Sequence, residues 1–363
     1  MADIEKRAKK ISFIKGLAIY ALVLFLLGAA ALGVFYYYMR VYEQTRPAKV
    51  ARDYVRSLTV DDLLEKDAAL FASLDRRLQS EGEIRDFLSG ALSDLSFARH
   101  IDGTEQEGYV YALECRGELI GSFTLTETGR KSMGLARLQV SRESYDWSPF
   151  CREPAFTVPE GYAVSCNGVV LDESYITRTG VHYSLLEEFY DDGYALPTLV
   201  SYQSGRTIGE VETAVLDASG QALDPANVSE TFYTDNCTAE EKAAITAFTE
   251  DYINRYVQYL SSTILWGGSG YGWLAELVVP ESDLNSRLLQ AMPGLYYASS
   301  KSDEIQSITI NEMMNVGNGC YVCDVTYLVE TLGQADYVTT TNNAKLLLVQ
   351  RPYGLRTEAQ VSY

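Results

Sequence analysis

Histidine is almost missing from this chain: two residues in 363, His100 and His182. A serine, histidine and acid triad needs a histidine near a nucleophile signature, and neither lies in one, so both are expected as surface or packing residues. Cysteine is scarce too. Cys115, Cys151, Cys166, Cys237, Cys320 and Cys323 are too few and too scattered to frame a disulfide-stapled module. Cys320 and Cys323 form a C-x-x-C, but in the alternating run Tyr321, Cys323, Val325, Tyr327, Val329 an odd separation sends two side chains to opposite faces of a strand. With no second C-x-x-C and no neighbouring histidine, no zinc or redox site is expected. Calcium-loop spacing is absent. The glycine run Gly267 to Gly272 lacks the Gly-Lys-Ser/Thr of a phosphate loop and the preceding strand of a dinucleotide fingerprint, so it reads as a flexible connection. Acid pairs such as Asp61-Asp62, Glu187-Glu188 and Asp191-Asp192 point in divergent directions and read as solvated faces. The chain is thus expected to be non-catalytic, with no metal and no cofactor.

Positive charge is also in deficit: 30 bases against 49 acids, a net charge of −19. Five of the bases, Lys6, Arg7, Lys9, Lys10 and Lys15, lie in the first 15 residues, which leaves the remainder still more acidic. Such a surface repels phosphate backbones, so nucleic-acid binding and docking onto an anionic lipid surface are both disfavoured.

What the chain does have is a stretch from Gly16 to Met39 without one charged side chain. About 20 apolar residues cross a bilayer core as a helix, and Tyr36, Tyr37 and Tyr38 make an aromatic belt at its end. The small run Ala29-Ala30-Ala31 suggests a signal-peptide cleavage site, but the apolar run continues through Leu32, Val34 and Phe35, whereas a signal core usually stops within roughly 15 residues. A retained single-pass anchor is expected over 16–39, after a cytoplasmic basic tail at 1–15. The basic excess before the anchor places the amino terminus inside and the rest outside.

Beyond the anchor, two blocks have the same order. The first, 45–147, opens with Thr45 ahead of Pro47 as a helix start, followed by Val50, Tyr54 and Leu58 at helical spacing. Phe71, Leu74 and Leu78, then Ile84, Phe87, Ala91 and Leu95, continue the helical faces. The period then falls to two around Tyr109 to Cys115, Ile120 to Thr126 and Leu135 to Ser141, with turns at Arg116-Gly117 and Thr128-Gly129. The second, 238–363, opens with a Thr238 and Glu241 capping box ahead of Ile245, Phe248, Tyr252, Tyr256 and Leu260. A further helix carries Leu284, Leu288 and Met292 and stops at Pro293-Gly294. Strands follow near Ile308, at 321–329 and 346–349, and at 355–363, where Leu355, Thr357, Ala359, Val361 and Tyr363 alternate with polar residues. Helices followed by antiparallel strands, twice, is α+β: two domains with helices on one face of a curved sheet. Between them, 150–235 reads as a small β-rich linker domain.

These blocks resemble the cone-shaped nuclear-transport-factor-two-like superfamily. The layout resembles single-pass surface proteins of Gram-positive bacteria. Nearest in pattern are the teicoplanin-resistance-associated membrane proteins, whose linkers carry a Val-Pro-x-Gly and Asn-Gly hairpin, here Val158, Pro159, Gly161, Asn167 and Gly168. Conjugation-channel proteins, which place two cones after one membrane helix, are the second resemblance. The chain lacks the cysteines of the first group's zinc ribbon, and its middle insert is larger than the second leads one to expect. Neither resemblance transfers a functional residue. Both imply a place in the cell envelope, with envelope proteins or cell-wall components as partners.

Aromatic side chains supply the one candidate for recognition. Trp266, Tyr271 and Trp273 cluster around the glycine run, and aromatics are rigid, amphipathic contact groups. Trp266 extends an apolar helix and is expected in the core, whereas Tyr271, between glycines, is expected to be free for contact. The expected function is a membrane-anchored binding or scaffolding protein. The alternatives are a subunit of a conjugation or secretion apparatus and an enzyme using a cone pocket for acid-base chemistry.

Overall fold

The apolar stretch lies inside one long helix, α1, Ala2–Thr45. The computed structural model describes residues 2–99, 108–132, 134–191, 193–260, 270–295, 303–332 and 336–363. Lys15–Thr45 of α1 is long and apolar enough to cross a membrane, and its most apolar window is 0% buried. Thr45 does not start the next helix, as the sequence suggested. It ends α1, and its hydroxyl donates back to the carbonyls of Val41 at 3.1 Å and Tyr42 at 3.0 Å. Arg46 alone is extended, and Pro47 then takes the first position of α2, Pro47–Ser57, where a missing N–H costs nothing.

α3, Val60–Lys66, α4, Ala68–Ser73, and α5, Glu81–Ser93, follow. Reciprocal capping boxes start two of them, Thr59 with Asp62 and Ser80 with Glu83. The expected helical face of Phe71, Leu74 and Leu78 outlasts its helix: α4 ends at Ser73, yet Leu74 and Leu78 are buried in the turn beyond. The chain then forms β1, Leu95–Arg99, β2, Tyr109–Cys115, β3, Glu118–Ser132, and β4, Leu135–Tyr145, in an antiparallel sheet of order β1-β2-β3-β4. Arg116 and Gly117, at φ 50° and 86°, make the two-residue turn between β2 and β3, whose mirror-image twist matches the strands. The turn expected at Thr128-Gly129 is not one. β3 runs through it, and Gly129, at φ 72°, falls in a register shift between Glu127 and Lys131. Ala51, Leu63, Phe71, Ile84 and Leu88 from the helices meet Tyr111, Leu113, Phe123 and Leu125 from the sheet in one core.

Nine short strands occupy the middle: β5, Cys151–Arg152, β6, Ala155–Pro159, β7, Ala163–Cys166, β8, Val169–Val170, β9, Ile176–Val181, β10, Leu199–Gln203, β11, Thr207–Ile208, β12, Thr213–Leu216, and β13, Ala222–Leu223. They pair as β6-β10-β9, β13-β12-β7-β8 and β11-β5. Asn167 and Gly168, at φ 50° and 75°, make the expected turn, between β7 and β8. By its contacts the chain divides into Met1–Glu153 with Gly205–Val211, and Pro154–Ser204 with Glu212–Tyr363. The excursion Gly205–Val211 is held in the first unit by the pairing of β11 with β5 and by Gln79, whose buried amide donates to the Ile208 carbonyl at 2.7 Å and accepts from its N–H at 2.9 Å.

The rest of the second unit holds α6, Glu230–Thr234, α7, Ala239–Leu260, α8, Gly270–Ala275, and α9, Asp283–Leu295, then β14, Asp303–Gly317, β15, Cys320–Leu332, β16, Tyr337–Arg351, and β17, Gly354–Ser362. The capping box ahead of α7 is present, with the Thr238 N–H donating to Glu241 at 2.7 Å and the Glu241 N–H to the Thr238 hydroxyl at 3.2 Å. α9 continues through Pro293-Gly294 to Leu295. The sheet order is β14-β15-β16-β17. Cys323, Val325, Tyr327 and Val329 face the helices, while Cys320 has the opposite parity. In β17 the expected alternation breaks. A bulge at Glu358, where Leu347 pairs with Ala359 but Leu348 with Thr357, turns every later residue over, so Gln360 instead of Val361 points to the helix side.

Candidate functional site

Of the three aromatics singled out in the sequence, Trp266 lies outside the described residues. Tyr271 and Trp273 are on α8, a short helix and not the free loop expected of the glycine run. Tyr271 packs against the core of the second unit, its ring 6.4 Å from that of Tyr259, and its hydroxyl donates to Asn285. Tyr271 is thus partly buried, with its hydroxyl already bonded. A tyrosine with helical neighbours after all leans on them.

Trp273 has the exposure that Tyr271 lacks, at 41%. The Arg255 guanidinium lies 4.8 Å from its ring centre and donates to its carbonyl at 2.8 Å. Two parallel bonds of 3.0 and 2.9 Å to Asp251, one turn earlier on α7, fix that guanidinium. The result is a flat aromatic surface with a cation stacked beneath it, already immobilised before any partner arrives.

Among the described residues, the core under each helical layer is packed with apolar and aromatic side chains. In the second unit Tyr252, Tyr259 and Tyr327 are buried, and two of their hydroxyls are taken by protein groups: Tyr252 donates to Gln360 at 2.5 Å and Tyr259 to the Leu288 carbonyl at 2.6 Å. Burial pushes the Tyr327 hydroxyl up to about 12 and that of Tyr252 well above its ordinary range. Such hydroxyls stay protonated at neutral pH and serve as donors.

One polar cluster lies at the edge of the first unit's core. Tyr54 donates to Glu143 and shares a 2.6 Å bond with Tyr145, while Lys66 pairs with Glu143 and sits 5.5 Å from the Tyr145 ring centre. Burial, then the hydrogen bond to Glu143, raises the Tyr54 hydroxyl, and burial takes Tyr145 to about 12. Burial alone would raise the Glu143 carboxyl, but the bonds from Lys66 and Tyr54 outweigh it and hold the carboxyl below its ordinary value. Paired in this way, an anion, a cation and two neutral phenols tie α2 and α3 to β4.

Several other titratable groups have local partners. His182 stacks on Tyr190 at 3.7 Å, and His100 lies outside the described residues. Asp61 pairs with Arg85, Asp62 caps α3, and Glu188 binds the buried Lys345 at 2.7 Å. All six cysteines are free thiols. Among the described residues, no group of three or more His, Cys, Asp or Glu is placed to share a metal ion.

No protein-family profile and no curated protein matches the chain. Among solved structures, an Ntf2-like protein involved in plasmid conjugation superposes on it with a TM-score of 0.26 and 8% identity, over 74% of this chain and 76% of that one.

Proposed function

We propose that the chain is a membrane-anchored binding protein of the cell envelope, non-catalytic, held by residues 16–39 with its folded units outside. The observation that supports this reading is the apolar and aromatic core that the described residues build under both helical layers. A catalytic cone would keep an open pocket lined by carboxylates of raised pKa. Here the described core is built by Phe71, Leu88 and Phe123 in one unit and by Tyr252, Ile253 and Leu346 in the other. On this reading each unit is a plugged cone of the nuclear-transport-factor-two-like kind, and recognition is a property of the surface.

The surface element is Trp273 with Arg255. A rigid aromatic loses little side-chain freedom on binding, which is why such residues anchor interfaces. The acidic exterior favours an envelope protein or wall component over a nucleic acid. A photo-crosslinking phenylalanine at position 273 should yield one crosslinked species in the membrane fraction, reduced in the Arg255→Ala background. Equal yields from both chains would overturn the assignment. Protease added to permeabilised envelopes should digest the chain beyond Arg40 while sparing the amino-terminal tail; protection of the folded units would reverse the orientation.

A further inference from the structure

α1 does not stop where its apolar run stops: beyond Tyr36, Tyr37 and Tyr38 the same helix continues through Arg40 and Gln44 to Thr45. A helix rises about 1.5 Å per residue, and the headgroup layer adds about 5 to 7 Å to each side of the hydrocarbon core. With the tyrosine belt at the inner edge of that layer, Arg40 lies within it and Gln44, about 9 Å past Tyr38, lies at its outer margin.

A cavity of about 480 Å³ opens there between α1 and β4. Tyr37, Arg40, Gln44 and Thr45 line it from α1, and Arg137 and Leu138 line it from β4. No acid lines it. In a chain with 49 acids and 30 bases, neither Arg40 nor Arg137 forms a hydrogen bond or ion pair with the described residues. A smaller neighbouring cavity, about 250 Å³, holds both Arg46 and Glu127 and is balanced in charge. Flanking bases are commonplace after a membrane helix, which accounts for Arg40 alone. Arg137 is brought to the same cavity by the sheet, from nearly a hundred residues further along.

We propose that this cavity binds the phosphate headgroup of an anionic membrane lipid, with Arg40 and Arg137 on the phosphate and Gln44 and Thr45 beside it. Its acyl chains run down the apolar face of α1 past Tyr37. Net charge opposes docking of the chain's whole acidic surface onto such lipids, but screening confines that repulsion to about 8 Å, and the two arginines are the charged side chains that line the cavity. The proposal rests on the reading that α1 spans the bilayer.

The test uses the full chain reconstituted in phosphatidylcholine vesicles with trace spin-labelled phosphatidylglycerol or spin-labelled phosphatidylcholine, comparing the motionally restricted fractions at physiological salt. The expected preference for phosphatidylglycerol is at least about fivefold per arginine, falling by that factor in Arg40→Ala and in Arg137→Ala and to near parity in the double variant. Arg52→Ala, exposed on α2 and outside the cavity, should keep the full preference. Loss in Arg52→Ala equal to that in Arg137→Ala would reduce the effect to diffuse charge and overturn the proposal. Displacement of the labelled lipid by millimolar inorganic phosphate would overturn it as well, by making the cavity a free-anion site. A chain that stays in the aqueous phase sinks the anchor reading and the proposal with it, whereas a chain that incorporates without preference sinks the proposal alone.

Discussion

Removing one oxygen atom, in Tyr252→Phe, should destabilise the second unit by about 2 kcal/mol. Tyr252 is fully buried, and its hydroxyl donates to the amide oxygen of Gln360, itself 6% exposed, at 2.5 Å. The ring stays, and with it the packing between Phe248 and Tyr256 at 6.3 and 6.0 Å. What is lost is the hydrogen bond, and what remains is a buried carbonyl oxygen stripped of it, a penalty of about 1 to 3 kcal/mol. For a unit of this size each kcal/mol lowers the melting temperature by about 2 to 4 °C, so a fall of about 4 to 8 °C is expected by calorimetry on the detergent-solubilised chain. Gln360→Leu alone should cost a similar amount, since it strands the hydroxyl. The double variant replaces both polar groups with apolar ones and should recover most of the loss, giving a coupling of about 1 to 2 kcal/mol. Additive losses, with no recovery, would refute the bond and with it the bulge at Glu358 that carries Gln360 to the helix side.

Tyr271→Ala should cost about 2 to 4 kcal/mol, since it empties a core contact, while Trp273→Ala should cost less than about 1 kcal/mol; thermal melts of the two variants decide this. The Glu143 carboxyl is held below its ordinary value near 4.5, so its contribution to stability is present above that value and is lost as pH falls through the lower, folded value. Melting of the first unit should accordingly decline in that acid range, and Glu143→Gln should flatten the decline. Burial takes the Cys323 thiol to about 12 and that of Cys237 to about 11, so at pH 8 a thiol reagent followed by mass spectrometry should modify the half-exposed Cys151 and Cys320 well before either.

Features that depend on neighbours in sequence were legible in advance. The capping box at Thr238 and Glu241, the helix start at Pro47, and the turns at Arg116-Gly117 and Asn167-Gly168 each follow from one or two residue types at fixed spacing. The same rules held unread signals: Thr59 with Asp62, Ser80 with Glu83, and Asn318-Gly319, at φ 54° and 73°, between β14 and β15. Register was harder. A bulge leaves no composition signature, so Glu358 and Gly129 were read as plain strand and plain turn. Long-range pairing was hidden altogether: nothing in Thr207-Ile208 announces that it joins Cys151-Arg152. The arginine cavity was hidden for the same reason, because Arg40 and Arg137 meet only through the sheet.

One residue, Arg46, separates the end of α1 from the start of α2. Its extended length is about 3.5 Å, whereas a flexible tether of twenty residues lets a domain wander about 25 Å. The first unit is accordingly mounted, not leashed. On the proposed anchoring it sweeps no volume in search of partners, and whatever it meets must come to the plane of the membrane. Any twist or tilt forced on that unit by a bound partner has no slack to dissipate in and passes directly to α1.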